Sequence, residues 1–173
     1  NRRFSPFSMK LKSLIDQNRV PKSIIITVNA GKVDDEHWTQ NKEIGGGRII
    51  GEGCHFIDLM RYLVGSRITD FNRMTIGESS SHKTRDDNVS INLSFADGSM
   101  GTIHYLSNGG KSFPKERVEA FTGNEVIQLN NFRSMKGYGS KFFKKMKLWS
   151  QDKGQINCVR SFIASIEKGK PTP

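Results

Sequence analysis

Between Ile68 and Leu129 the chain is a run of short segments that alternate in polarity and are punctuated by tight-turn sequences, a pattern no helical bundle satisfies. Asn88–Phe95 reads NVSINLSF, with an apolar side chain at every second position. Ala96-Asp97-Gly98 then leads into Met100–Ser107, and Thr122-Gly123-Asn124 joins Lys115–Thr122 to Glu125–Leu129. Turn residues of this kind fold consecutive strands into hairpins. Ile68–Ile76 is a further strand candidate, and Ser23–Val28 (SIIITV), β-branched and bounded by Pro21 and Gly31, reads as a buried one. Four or five strands joined by short turns imply a largely antiparallel sheet.

Helices bracket these strands. Phe7, Leu11, Leu14 and Ile15 recur at three-to-four spacing between Ser5 and Gln17, with Ser5 placed to cap and Pro6 suited to the first turn. Phe56, Leu59, Met60 and Leu63 share one side of Glu52–Val64, and Gly65 stands where a C-terminal cap belongs. Ile156–Lys168 reads as a closing amphipathic helix stopped by Gly169. The expected fold is a single α+β domain over residues 1–173, a large, mostly antiparallel open sheet with helices packed on one face. Ser90, Asn92 and Ser94 make the other face less apolar, left for solvent or for a second copy of the domain.

Composition narrows the function classes. No apolar run approaches the roughly 20 residues that cross a bilayer, and the start has no signal-peptide pattern, so a soluble domain without a membrane partner is expected. Cys54 and Cys158 lack the spacing of a zinc site or a disulfide framework, as reduced thiols in a cytoplasm would. The net charge of +10 is densest at Lys141, Lys144, Lys145 and Lys147. No helix-turn-helix, zinc-finger or RNP-like signature accompanies it, so a solvated basic surface is expected in preference to a nucleic-acid patch. A chain that opens at Asn1 and closes on Lys170-Pro171-Thr172-Pro173 is expected to be a piece of a longer protein.

The stretch from Gly45 to Asp58 is where chemistry can sit. Three consecutive glycines, Gly45, Gly46 and Gly47, allow close backbone approach to a ligand, and the helix beyond them offers unpaired amides. Glu52, His55 and Asp58 recur every three residues, so they share a helix face and can hydrogen-bond in series. His55 can move a proton near neutral pH if a carboxylate fixes its tautomer. An ordinary polar helix start shows the same spacing and stands as the other reading. The histidines at 37, 55, 82 and 104 are too scattered for a metal site, and no serine occupies a nucleophile elbow.

The run GGGRIIGEGCHFIDLMRYLVG closely resembles the GGG, then G-x-H-x-x-D-L, signature of the glucose-fructose oxidoreductase and inositol dehydrogenase (Gfo/Idh/MocA) family. Asn1–Pro6, Val28–Gly31, His37-Trp38, Phe113–Arg117 and Asp152–Gln155 resemble further segments of its C-terminal half, in the family's order. The resemblance implies a dihydrodipicolinate-reductase-like C-terminal domain. The Rossmann domain that binds NAD or NADP, with the family's Glu-Lys-Pro lysine, would lie upstream and is absent from this chain.

It also implies that His55 corresponds to the histidine at the reacting hydroxyl of a sugar, nucleotide-sugar or cyclitol, and that the open sheet face forms a homodimer or homotetramer. Within it Glu52 is the candidate partner of His55, Asn29, Trp38, Arg48 and Lys153 are candidate substrate contacts, and Gly46 and Gly47 lie near the cofactor. A tryptophan face suits the C–H surface of a sugar ring, and an arginine fork suits a carboxylate or phosphate. A solvated lysine at a helix start is the plainer account of Lys153. One departure bears on the chemistry: many members place an aspartate four residues before the histidine, and here that residue is Gly51. A pseudoenzyme, or a basic scaffold domain of the same fold, is the competing expectation.

Overall fold

The computed structural model describes residues 1–34, 36–41, 43–77 and 87–171. Ser5 accepts a hydrogen bond from the Ser8 amide and starts helix α1 (Pro6–Ile15). Strand β1 (Ser23–Asn29) follows, then helix α2 (Cys54–Val64), closed by Gly65 in a left-handed conformation. Strands β2 (Ile68–Thr75), β3 (Asn88–Phe95), β4 (Met100–Leu106), β5 (Glu116–Thr122), β6 (Glu125–Asn130), β7 (Ser134–Tyr138) and β8 (Lys145–Lys147) precede helix α3 (Gln155–Glu167).

All eight strands form one sheet in the order β2-β3-β4-β1-β5-β6-β7-β8. The hairpins foreseen at Ala96-Asp97-Gly98 and Thr122-Gly123-Asn124 are the β3–β4 and β5–β6 pairs. The first strand in sequence takes the middle of the sheet, parallel to β4 and antiparallel to β5. Among the described residues, only that β1–β4 pair is parallel.

The described sheet has two strands more than the six strand candidates read from the sequence. The two added strands have a simple cause: β7 (SMKGY) buries only Met135, and β8 is three residues of Lys-Met-Lys. β8 closes that edge of the sheet, and a short, lysine-bearing edge strand is a poor template for pairing with another chain, which gives part of the basic surplus a structural reason.

The core lies between one sheet face and helices α1 and α2. Phe7, Leu11 and Ile15 from α1 and Phe56, Leu59 and Leu63 from α2 are essentially inaccessible to solvent. They meet the inward positions of the strands, such as Ile24, Ile26 and Val28 of β1 and Ile103 and Tyr105 of β4. At ~1.5–3 kcal/mol per buried large apolar side chain, this layer is the main stabilising contribution. The opposite face is polar along its centre. Thr102 donates to Asn92, Asn92 to Asn72, and Gln128 to Glu119 across neighbouring strands.

α3 departs from expectation. Its bounds match the predicted helix, yet none of its residues is buried, and its apolar side is uncovered.

Candidate active site

The site lies where β1 and β4 end and β5 begins, beneath the loop that leads into α2. Trp38–Gln40 forms a single turn, and a Cβ on Gly45 would lie 2.6 Å from the Trp38 carbonyl oxygen. Gly46 and Gly47 have φ of 68° and 82°, the left-handed region that only glycine enters freely. Nothing would crowd a side chain at Gly47, so a ligand can approach the backbone there. The chain next makes a wide π-helical turn, Ile49–Gly53, that runs directly into α2.

That turn alters the expected geometry. Glu52, His55 and Asp58 do not hydrogen-bond in series, because Glu52 belongs to the wider turn and not to the first turn of α2. Glu52 accepts a hydrogen bond of 2.5 Å from the Tyr105 hydroxyl and lies 3.5 Å from Arg48 Nη2. Asp58 faces Arg3 at 3.4 Å. Among the described residues, no hydrogen bond joins His55 to either carboxylate.

His55 is half-buried, and its pKa lies below the ordinary histidine value. Burial disfavours the imidazolium most, and the positive charge of Arg2 adds to this. The opposing pull of Glu52 and Asp58 is weaker. The ring is therefore neutral at pH 7 and able to accept a proton. The Tyr105 hydroxyl is pushed far above its ordinary pKa by burial and by the Glu52 carboxylate, so it stays a hydrogen-bond donor.

Arg48, expected to present its fork to an anion, is 3% exposed and already committed. Nη1 donates to the Gly31 carbonyl at 2.7 Å and Nη2 to the Ala30 carbonyl at 3.2 Å. Asp87 lies 3.8 Å from Nη1, and the guanidinium packs over the Tyr105 ring. It ties the end of β1 to the glycine loop. Asn29 likewise brackets backbone, donating from Nδ2 to the carbonyls of Gly110 and Phe113, while its buried Oδ1 has no partner. Trp38 is 60% exposed, beside the His37 ring.

Lys153 pairs with Glu116 at 2.9 Å. Glu116 is buried at the start of β5, where Arg2 also holds it through Nη2 at 2.9 Å and Nε at 3.3 Å. Burial alone would raise its pKa, but Arg2 and Lys153 outweigh that and keep the carboxyl below the usual range. Arg2 also lies 4.4 Å over the ring of Phe56, the residue after His55. Sequence reading passed over Arg2, Tyr105 and Glu116. The signal was the parity of the strands: Tyr105 and Glu116 alternate in phase with Ile103 and Val118, which places a hydroxyl and a carboxylate on core-facing positions that need partners. Among the described residues no group of three or more His, Cys, Asp or Glu is placed to hold a metal ion; His82 lies outside them.

Fold and site together define an α+β open-sheet domain with a glycine loop and a histidine-bearing helix at the strand ends. The chain belongs to the GFO/IDH/MocA family, whose C-terminal domain profile matches residues 8–121. Solved oxidoreductases share the fold throughout. The aldose-aldose oxidoreductase from Caulobacter crescentus, complexed with glycerol, matches with a TM-score of 0.76 at 16% identity, covering 99% of this chain and 53% of that one. The UDP-N-acetylglucosamine 3-dehydrogenase from Acidithiobacillus ferrooxidans matches with a TM-score of 0.73 at 13% identity, covering 99% and 52%. An oxidoreductase from Agrobacterium radiobacter, in complex with NAD+, L-tartaric acid and magnesium, gives 0.72 at 13% identity, covering 98% and 54%. The chain thus spans just over half the length of these relatives. None of the curated proteins matches it. Among the described residues no helix is long and apolar enough to cross a membrane.

Proposed function

We propose that this chain is the substrate-side half of an NAD(P)-dependent oxidoreductase acting on a sugar, nucleotide-sugar or cyclitol in the cytoplasm, and that a Rossmann domain upstream binds the dinucleotide. The observation that carries this reading is the half-buried His55, held neutral at the start of α2 beside a glycine loop open to close approach. A bound nicotinamide would supply the hydride acceptor. His55 takes the proton from the substrate hydroxyl on a ring nitrogen, and its uncharged state at pH 7 makes it competent to do so. Glu52, fixed by Tyr105 and Arg48, contributes negative charge near the imidazole without hydrogen-bonding to it.

Gly46 and Gly47 are the glycines we place beside the cofactor, and at Gly47 the backbone leaves room for a ligand at van der Waals distance, while Gly46 lies against Ile50. The exposed Trp38 ring offers a face to a sugar, and Lys153, beside Glu116, offers charge to an anionic group. The substrate-contact roles of Asn29 and Arg48 become indirect ones, since the Asn29 amide and the two Nη groups of Arg48 donate to backbone carbonyls and hold the loops that line the site. The polar open face, with Met100 and Phe121 exposed along one margin, is the surface we assign to homodimer or homotetramer formation.

A pseudoenzyme is the second reading, favoured by one observation: the usual aspartate position is Gly51, and among the described residues no carboxylate hydrogen-bonds to His55. Nicotinamide fluorescence of the full-length protein with NADH, followed by turnover of nucleotide-sugars with and without His55→Ala, separates the two. Binding, with turnover lost in the variant, is the expected result. Turnover unchanged by His55→Ala refutes its role, and absent NADH binding refutes the dehydrogenase.

A further inference from the structure

The β7–β8 margin of the sheet carries charge that the site leaves unexplained. Its register sets Lys147 opposite Ser134 and Lys145 opposite Lys136, while Met135 and Met146 turn to the core. Like charges directly opposite one another on a sheet are destabilising. Among the described residues no salt bridge gives Arg133, Lys136, Lys145 or Lys147 a carboxylate. Protection of the edge accounts for lysines on β8, and not for a further one facing them from β7. An anion bound there would offset the repulsion.

An aromatic surface joins the charge. Arg133, Lys147, Leu148 and Trp149 line a groove of about 490 Å³, within the size range of small-molecule sites. The Trp149 ring is 97% exposed, while Leu148 beside it packs against the core. The walls are fixed by backbone. The Leu148 amide donates to the Arg133 carbonyl at 2.9 Å, and the turn before Arg133 is tied down by Gln151 Nε2 on the Asn131 carbonyl and by the Asp152 amide on that of Phe132. Asn131 and Phe132 have φ of 49° and 50°, a left-handed conformation that such residues keep only where their surroundings enforce it. The Asp152 carboxylate accepts from the Gly154 amide at 2.7 Å.

We propose that this groove binds a nucleoside phosphate, its base stacked on the Trp149 indole and its phosphate held by Arg133 and Lys147. The indole offers a stacking face to any base, the guanidinium a two-pronged match to phosphate, and the ammonium a point charge. A bare anion leaves the indole in water, and a neutral ring leaves both cations unpaired. The ligand is a free nucleotide or the nucleoside end of a nucleotide-sugar. Trp149 and Lys153 are four positions apart, so their Cα atoms lie within ~14 Å, and Lys153 pairs with Glu116 at the candidate active site. The groove is independent of His55 and of the dehydrogenase reading.

The test is made on the full-length protein, irradiated with photo-reactive 4-thiouridine monophosphate while excess NADH fills any dinucleotide site, and the labelled peptide is mapped. Calorimetry gives the affinities for uridine monophosphate (UMP), uridine and ribose 5-phosphate. The label should fall within residues 133–149, and UMP should bind roughly ten-fold or more tighter than either half of it. Trp149→Ala should weaken UMP roughly five- to 150-fold, the range for loss of one stacked base. Lys147→Gln should weaken it and flatten its dependence on salt. Both side chains are exposed, so each variant should melt with the parent. Labelling elsewhere, or an affinity unchanged in both variants, overturns the proposal. UDP-N-acetylglucosamine binding more tightly than UDP, with the gain lost in Lys153→Gln, marks the end of a spanning substrate; no gain marks a free nucleotide. NADH binding on the same preparation judges the dehydrogenase separately: UMP binding without it keeps the groove and sinks the dehydrogenase, and NADH binding without UMP binding does the reverse.

Discussion

Arg48 offers the sharpest test of how the site is built, because substrate recognition and loop anchoring predict opposite outcomes for Arg48→Met. The methionine keeps much of the aliphatic stem and removes the guanidinium. The carbonyls of Gly31 and Ala30 then lose donors at 2.7 and 3.2 Å, each a bond from a charged group worth ~1.5–3 kcal/mol. Asp87, itself buried, loses its cation, although Gln40 and Asn88 still donate to it. Removing one member of such a buried set costs about 3–5 kcal/mol. At ~2–4 °C per kcal/mol for a chain of this size, the melting temperature should fall by about 6–20 °C. Arg48→Lys restores charge without the two-pronged geometry and should recover part of the loss. Thermal unfolding followed by far-UV circular dichroism reads both variants. If Arg48→Met melts with the parent while the substrate KM rises, Arg48 is a ligand contact and the anchoring role is refuted.

Three further outcomes follow from neighbouring geometry. Tyr105→Phe deletes the hydroxyl that binds Glu52, but Glu52 is half-exposed and rehydrates, so the loss should stay near ~1 kcal/mol, read from the urea midpoint; a loss above ~3 kcal/mol would show that Glu52 is less hydrated than its exposure indicates. Glu116 has its pKa lowered in the folded state, so the unfolded chain binds the proton more readily. Its contribution is present above the unfolded pKa and is lost as pH falls through the folded one. Glu116→Gln should flatten that acid limb in a plot of melting temperature against pH, and an unchanged limb would assign it to other carboxylates. His55 carries the opposite kind of consequence: with its pKa below the ordinary ~6.5, the acid limb of kcat/KM expected of the proposed dehydrogenase should have its midpoint below pH 6.5. An acid limb centred above pH 7 would mean that a cationic His55, paired with a carboxylate, is the operative form.

The sequence foretold whatever follows from local periodicity. Ser5, Pro6 and Gly65 mark helix ends by their own backbone and capping chemistry, and the turns at Ala96-Asp97-Gly98 and Thr122-Gly123-Asn124 mark hairpins in the same way. β7 and β8 escaped because neither carries a readable alternation; β7 has one buried residue and a glycine, and β8, at the sheet edge, is three residues long. The central place of β1 escaped for a different reason. No local signal states that a strand early in the chain inserts between two later ones, and only the tertiary burial of Ile24, Ile26 and Val28 from both sides settles it.

The site shows where pattern reading reaches its limit. Spacing by three places Glu52, His55 and Asp58 on one helical face only if the helix has its ordinary pitch from the first residue, and the π-helical turn at Ile49–Gly53 breaks that condition. The carboxylate meant for His55 goes instead to Tyr105, 53 residues away in sequence. Arg48 was read from its residue type as an anion receptor, yet a guanidinium beside two unpaired carbonyls at the end of a buried strand satisfies them first, since an orphaned buried carbonyl is costly. What residue type and spacing do transmit is where the candidate groups gather: a half-buried imidazole at a helix start, a glycine loop beside it, and carboxylates close enough to act on its charge. The partners of each group are decided by strand register, so the face of β4 that carries Tyr105 and the face of β5 that carries Glu116 are as much a part of this site as the GGG-to-histidine run itself.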